Sequence, residues 1–176
     1  MAKLVAMNNP YNTNLDRNPA NFQPLTPLTF LERAASVYPN HTAIVHGKLR
    51  RNYSDFYSRS RQLASALSEQ GIVRGDTVSV ILSNTPAMLE AHYGVPMCGA
   101  VLHSINTRLD PDTIAYQLDH ANSKALIVDR EFLKTAKTSL ELAGVSPILI
   151  EFNDSEYPIK ESLPGAIEYE EFLLKG

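Results

Sequence analysis

Short apolar runs alternate with helix-patterned segments across the second half of this chain. Each run is nearly free of polar residues, as in strands that are buried on both faces of a sheet. The connections between runs and helices are short. Because neighbouring parallel strands require such crossovers, the pattern predicts an α/β fold with a mostly parallel sheet covered by helices on both faces. The apolar runs are residues 78–82, 100–105, 125–128 and 148–150, and the helical segments between them are residues 86–93, 112–120 and 131–143.

The segment before this alternation is predicted to hold a helix, a short hairpin and a second helix. Thr26 and Pro27 favour a helix start, with a hydroxyl cap and a proline in the first position. Two short runs at 42–46 and 49–53 indicate a hairpin. Helical spacing returns at residue 54 and ends near Gly71, a typical helix-terminating residue.

The two ends of the chain have a different character. Residues 1–25 contain six asparagines and three prolines, a composition that favours turns and extended chain. We therefore expect an irregular N-terminal arm over 1–25 and one domain over 26–176. Within that domain, a polar loop is predicted to run to Gly165, followed by a helix over 169–175.

Charge and cysteine content exclude several classes of protein. The formal net charge is −3, so no basic footprint for nucleic acid or an anionic membrane surface is present. A single cysteine, Cys98, excludes an internal disulfide and multi-cysteine zinc patterns. No apolar stretch reaches the length of a membrane span. The expected location is the cytoplasm, with either Met1 or Met7 as the start.

Polar residues follow each predicted strand. Ligands of open parallel sheets bind beyond the carboxyl ends of the strands, so these positions are candidates for a binding edge. The same residue types cap helices, and capping stays open as the alternative. The strand-end groups are Ser83-Asn84-Thr85, Asn106-Thr107-Arg108, Asp129-Arg130 and Asn153-Asp154.

Arg130, Lys134 and Lys137 share one face of the helix predicted after the third strand. They could meet a phosphate, or they could form an ordinary solvated helix face. His103 lies inside an apolar run and is interpreted as a structural histidine. No His-Glu-x-x-His helix, Gly-x-Ser-x-Gly elbow or phosphate-binding glycine motif is present. No catalytic or metal-ligating residue is therefore predicted, and these patterns name no reaction.

Several consecutive segments resemble one enzyme superfamily. Residues 75–90, GDTVSVILSNTPAMLE, and 94–109, GVPMCGAVLHSINTRL, are similar to two sequence blocks of the adenylate-forming (AMP-binding, acyl-activating) enzymes. Residues 51–57 resemble an upstream block, and Asp129 ends a strand as it does in that superfamily. Within the superfamily, residues 91–100 look most like short- and medium-chain acyl-CoA synthetases. The resemblance extends from about residue 26 to residue 176.

This resemblance implies a two-step ligase reaction. A carboxylic (fatty) acid attacks ATP to give an acyl-adenylate and pyrophosphate, and coenzyme A then displaces AMP; magnesium offsets the triphosphate charge. The family's phosphate loop, its adenine-binding motifs and its mobile-domain lysine would all follow residue 176. The chain is therefore expected to be the N-terminal, incomplete part of the ligase domain. Alone, it is expected to be inactive and to bind none of these cofactors productively.

The resemblance also suggests contacts with coenzyme A. Segments matching 103–106 and 129–134 border the coenzyme A route in related synthetases, which suggests His103, Asn106, Arg130 and Lys134 as binding residues. The remainder of a ligase chain would be the natural packing partner. The alternative hypothesis is a standalone, non-catalytic α/β module that binds a nucleotide, coenzyme A or a partner protein.

Overall fold

A computed structural model describes residues 16, 18–20 and 22–176. Most of the arm predicted over 1–25, namely residues 1–15, 17 and 21, lies outside the described residues. Helix α1 (Pro27–Val37) begins as predicted, because Thr26 Oγ1 accepts a hydrogen bond from the backbone N–H of Thr29 at 3.4 Å.

The predicted hairpin is confirmed. Strands β1 (Thr42–His46) and β2 (Leu49–Asn52) pair antiparallel and form a separate two-stranded sheet. Helix α2 (Tyr53–Glu69) follows at once, one residue earlier than predicted. Asn52 fixes this start, since its side-chain oxygen accepts a hydrogen bond from the N–H of Asp55 at 2.7 Å.

The main sheet has five parallel strands in the order β4-β3-β5-β6-β7. This confirms the predicted α/β class and the parallel direction. The strands are β3 (Thr77–Ile81), β4 (Val101–Ser104), β5 (Ser123–Asp129), β6 (Ile148–Phe152) and β7 (Ile167–Glu168). The remaining helices are α3 (Pro86–Met97), α4 (Pro111–His120), α5 (Leu133–Leu142) and α6 (Tyr169–Leu173).

Helices cover both faces of this sheet, as predicted. Helices α2, α3 and α6 pack on one face, where Leu63, Val95 and Phe172 join Val78 and Val80 of the central strand. Helices α4 and α5 cover the other face, where the buried residues are Ile81, Ile114, Leu118, Leu126, Val128 and Ala136. The alternation of buried residues along β3 therefore supplies two cores.

Three elements differ from the prediction. Helix α3 continues past residue 93 to Met97 and includes Pro96, which removes one backbone N–H donor from its last turn. A short 3₁₀ turn, Arg130–Phe132, precedes α5, since Asp129 accepts a hydrogen bond from the N–H of Glu131 at 3.0 Å. Strand β7 was not predicted, because two residues carry no readable alternation; its pairing with β6 defines it.

Candidate functional site

A cleft of about 510 Å³ opens beside the carboxyl ends of β5 and β6. One wall is the 3₁₀ turn and the first turns of α5, and the other wall is the loop between β6 and β7. Its lining residues are Arg130, Glu131, Leu133, Lys134, Lys137, Ile159, Glu161, Ser162, Leu163 and Pro164. The location matches the binding edge that open parallel sheets use.

Arg130 holds the two walls together. One terminal nitrogen of its guanidinium donates to Glu151 Oε1 at 2.6 Å, and the other donates to the carbonyl oxygen of Ile159 at 3.0 Å. Its side chain is only 15% exposed. The Nε atom is buried and has no hydrogen-bond partner among the described residues. Arg130 therefore has a structural role in joining the two walls of the cleft.

The carboxylate of Glu151 holds the loop between β6 and β7 in place, and the sequence analysis did not identify this residue. Its carboxylate accepts hydrogen bonds from Ser162 Oγ and from the N–H of Leu163, both at 2.8 Å. Burial alone would raise the pKa of Glu151, but the hydrogen bonds from Leu163, Ser162 and Arg130 hold it below its ordinary value. The sequence feature that could have identified Glu151 is a carboxylate near the end of an apolar strand, because a buried charge needs a partner.

Lys134 and Lys137 are exposed, and the structure records no salt bridge for either within its described part. Two carboxylates, Glu131 and Glu161, line the same cleft, and Glu131 accepts a hydrogen bond from Ser83 Oγ at 2.7 Å. The lining is therefore of mixed charge, and the exposed ammonium groups of Lys134 and Lys137 are the groups in it suited to an anionic ligand such as a phosphate.

His103 lies away from this cleft. Its Nδ1 is 2.9 Å from Ser79 Oγ, which is in turn 2.6 Å from Ser123 Oγ. Burial lowers the pKa of His103, while a hydrogen bond with Gln117 acts in the opposite direction. The side chain thus belongs to a polar network across β4, β3 and β5, in agreement with the structural interpretation.

Asn106 follows β4 at the same end of the sheet as the cleft. Its side-chain oxygen accepts a hydrogen bond from the N–H of Arg108 at 3.0 Å, which closes a local turn. Strand β3 separates β4 from β5. The separation between the ends of β4 and β5 is therefore two strand spacings, roughly 10 Å. The structure brings Arg130 and Lys134 together but leaves His103 and Asn106 apart from them, and coenzyme A contact by these four residues stays a prediction.

The polar residues near three other strand ends take different roles. Asp110 caps α4, accepting hydrogen bonds from the N–H and the hydroxyl of Thr113 at 2.9 and 2.8 Å. Thr85 precedes α3 but makes no side-chain capping bond. At the end of β6, both carboxylate oxygens of Asp154 lie 2.9 Å from His46 Nε2. This contact fastens the hairpin to the main sheet.

A buried carboxylate, Glu90 of α3, organises a second polar cluster that sequence reasoning missed. Arg51 and Arg59 donate to its Oε1 at 2.6 and 2.7 Å, and the hydroxyl of Tyr169 donates to Oε2 at 2.9 Å. Arg59 also donates to Glu170. Burial and the Glu90 carboxylate raise the pKa of Tyr169. The sequence feature that could have identified Glu90 is an acidic residue within a largely apolar helix.

The thiol of Cys98 donates to the carbonyl oxygen of Val95 at 3.1 Å, and burial raises its pKa, so the thiol is not activated. In the part of the chain that is described, no three His, Cys, Asp or Glu side chains are grouped so that they could hold a metal ion. None of the described helices has the length and apolar character that a membrane crossing requires.

Comparison with known sequences identifies relatives along almost the whole chain. The sequence profile of the AMP-binding enzymes matches residues 31–166. The peroxisomal acetate/butyrate–CoA ligase of Arabidopsis thaliana is 46% identical over 93% of this chain, and an acetate–CoA ligase of Humulus lupulus is 42% identical over 93%. A peroxisomal benzoate–CoA ligase of Arabidopsis thaliana is 42% identical over 89%. The chain spans only 31%, 31% and 28% of these three relatives.

Solved structures show the same fold. A benzoate CoA ligase from Burkholderia xenovorans superposes with a TM-score of 0.71 and 26% identity, over 83% of this chain and 27% of that one. An anthranilate CoA ligase in complex with anthranoyl-AMP gives a TM-score of 0.76 over 84% of this chain and 27% of its own, at 20% identity. By the match over residues 31–166 and the identity to these ligases, the chain belongs to the family of AMP-binding enzymes.

Proposed function

We propose that this chain supplies the N-terminal part of an ATP-dependent acyl-CoA ligase. The observation that carries the proposal is the 46% identity to the acetate/butyrate–CoA ligase of Arabidopsis thaliana over 93% of the chain. The reaction would convert a carboxylic acid, ATP and coenzyme A into acyl-CoA, AMP and pyrophosphate. A carboxylate is a poor electrophile, and its adenylate carries a good leaving group for the attack of the thiol.

The described residues fit one part of this reaction, namely the binding of a nucleotide phosphate. Lys134 and Lys137 are exposed in the lining of the cleft and form no salt bridge in the described part of the chain, and the guanidinium of Arg130 lines the same cleft. These groups would attract and orient the phosphates of coenzyme A. Magnesium would offset the charge of the triphosphate, and we assign no residue of this chain to holding it.

The acid and the cellular location remain part of the proposal. Relatives named for acetate, butyrate and benzoate support a short-chain or aromatic acid as the substrate. Location in the cytoplasm stays a prediction, and the two Arabidopsis thaliana relatives reported above are named as peroxisomal.

A chimera tests the proposed activity. The 176-residue chain would replace the matching segment of the Arabidopsis thaliana acetate/butyrate–CoA ligase, with the unaltered ligase as positive control. We expect acid-dependent ATP–pyrophosphate exchange and formation of acyl-CoA. A folded chimera that exchanges no pyrophosphate with acetate, butyrate, benzoate or a medium-chain acid would contradict the proposal.

The same chimera separates coenzyme A binding from adenylation. The double variant Lys134→Ala/Lys137→Ala should raise KM for coenzyme A roughly 2- to 5-fold for each lost contact, since exposed charge pairs contribute modestly. Pyrophosphate exchange, which needs no coenzyme A, should not change. Lys124→Ala is the matched control, because Lys124 is exposed near the start of β5, at the opposite end of the sheet. An unchanged KM in the double variant would remove the two lysines from the site.

A further inference from the structure

A second cleft, of about 350 Å³, lies between the hairpin and the start of α3. Its apolar lining comes from both elements. Along β1 the side chains alternate, so that Ile44 packs inward while Val45 points outward and is 62% exposed. A hairpin with one solvated face ordinarily presents polar side chains on that face. The outward valine therefore marks a face suited to being covered.

Helix α3 gives an independent indication on the other side of the cleft. Most of its side chains are apolar, and its ionisable side chains are Glu90, which is buried, His92 and Tyr93. A largely apolar helix of this kind is typical of the interior of a larger body. One side of α3 nevertheless carries Met88, which is half-buried, and Leu89, which is 38% exposed. These side chains line the same cleft as Val45, and we call the apolar part of its lining the hairpin–α3 surface (Ala43, Val45, Met88 and Leu89).

The hairpin that forms half of this surface is held in place from several directions. A two-stranded sheet is only marginally stable alone. Here Arg51 binds Glu90, His46 binds Asp154, and the N–H of Lys48 donates to Glu156 Oε1 at 3.1 Å. The apolar face is thus a fixed feature of the fold, and binding to it requires little reordering of the chain.

We propose that the hairpin–α3 surface is where the portion of a ligase polypeptide beyond this chain docks, through an apolar segment. The relatives supply the reason for this occupant: the chain covers 31% of the acetate/butyrate–CoA ligase, so in a ligase of that length this part shares an interface with a longer stretch of the same polypeptide. A surface on a fixed hairpin and a largely apolar helix suits such a permanent contact. This inference rests on the proposed function.

Co-purification tests the docking surface without requiring catalysis. The tagged 176-residue chain would be co-expressed with the portion of the Arabidopsis thaliana acetate/butyrate–CoA ligase that it does not cover. We expect the two pieces to co-purify, and the double variant Val45→Asp/Leu89→Asp to lose at least 10-fold of the recovered partner, on the order of 1.4 kcal/mol. Leu142→Asp on α5 is the matched control, since Leu142 is also apolar and 54% exposed, and it should retain the partner.

Hydrogen exchange provides a second measurement that needs no variant. Amide exchange in residues 43–46 and 86–92 should slow in the complex relative to the free chain. Absence of co-purification, equal recovery with Val45→Asp/Leu89→Asp, or unchanged exchange in both segments would overturn the docking surface. If the complex forms as expected while the single-chain chimera exchanges no pyrophosphate, the docking surface stands and the proposed function fails.

Discussion

Glu90 shows how one residue can join elements that are distant in sequence. It receives hydrogen bonds from Arg51 of β2, Arg59 of α2 and Tyr169 of α6, and all of its carboxylate surface is buried. Burial would lower the pKa of Arg59, but its bonds to Glu170 and Glu90 keep that pKa above the ordinary value. The charge is therefore compensated inside the fold and is suited to fixing the relative positions of these elements.

Glu90→Gln should destabilise the chain by roughly 3 kcal/mol, because it leaves two partly buried guanidinium groups without their shared counter-charge. Urea unfolding monitored by circular dichroism measures the change in the free energy of unfolding. Tyr169→Phe removes a single hydrogen bond to the same carboxylate and should cost about 1 kcal/mol.

Glu170→Gln is the control for this cluster. Glu170 also binds Arg59, but its side chain is 50% exposed, so the loss should stay below about 1 kcal/mol. Equal effects of Glu90→Gln and Glu170→Gln would show that burial of the Glu90 carboxylate is not what gives the cluster its strength.

Glu151 should make stability depend on acidity. Its folded-state pKa lies below the ordinary glutamate value of 4.5, so its contribution is complete above that pH and is lost as the pH falls through the folded value. Glu151→Gln should therefore cost about 2 kcal/mol at neutral pH and flatten the acid limb of a thermal-unfolding profile.

The comparison between variants isolates this residue. Burial raises the pKa of Asp129, which contributes with the opposite sign in both proteins and cancels in the difference. Glu161→Gln, an exposed carboxylate in the same loop, should leave the profile unchanged. Parallel acid limbs for the wild type and Glu151→Gln would contradict the assignment.

At the scale of elements, the packing of α2 against α3 depends on Gly94. A methyl group at this position would lie 2.8 Å from Leu63 Cδ2 and 2.9 Å from Leu63 Cβ, closer than packed carbon atoms allow. Gly94→Ala should destabilise the chain by about 1 to 2 kcal/mol, because the strain exceeds the gain in helix propensity. Chemical denaturation checks the value, with exposed His92→Ala on α3 as the control. If Gly94→Ala were more stable than the wild type, α2 and α3 would be able to move apart enough to accommodate the methyl group, and the packing argument would be wrong.

Gly94 also illustrates which boundaries of helices and strands could be predicted from the sequence and which could not. The cap at Thr26 and the apolar runs of the central strands act locally and could be predicted. The end of α3 was misplaced at residue 93 because Gly94 and Pro96 are ordinarily helix-breaking. Gly94 is explained by the close packing of Leu63 against it, which is a tertiary feature.

The candidate cleft likewise contains residues that could be predicted from the sequence and residues that could not. Arg130 and Lys134 could be placed together because they lie four positions apart just after a strand that ends at Asp129. Glu151 and the loop over 153–166 could not, since that loop is shaped by hydrogen bonds from Arg130, Ser162 and Leu163. Long-range contacts of this kind leave no periodic trace in the sequence.

At the scale of the whole molecule, the sheet has two open edges. Within the described residues, β4 pairs on one side only, with β3, and β7 at the opposite edge is two residues long. An uncovered strand edge offers unpaired backbone groups to another chain. Val101 on β4 adds an apolar side chain that is 53% exposed. Strand β4 is therefore the place where this chain should associate with copies of itself when no other polypeptide covers it.

We expect the purified chain to self-associate as its concentration rises, and Val101→Lys to suppress that association, because charge on an edge strand opposes further pairing. Sedimentation velocity over a range of concentrations measures both. Leu174→Lys is the matched control: it adds the same charge at an exposed apolar residue just after α6, on the side of the sheet opposite β4, and should not alter association. A chain that stays monomeric at all concentrations would show that β4 does not mediate self-association. Equal suppression by the two variants would show that net charge, and not pairing at β4, governs the association.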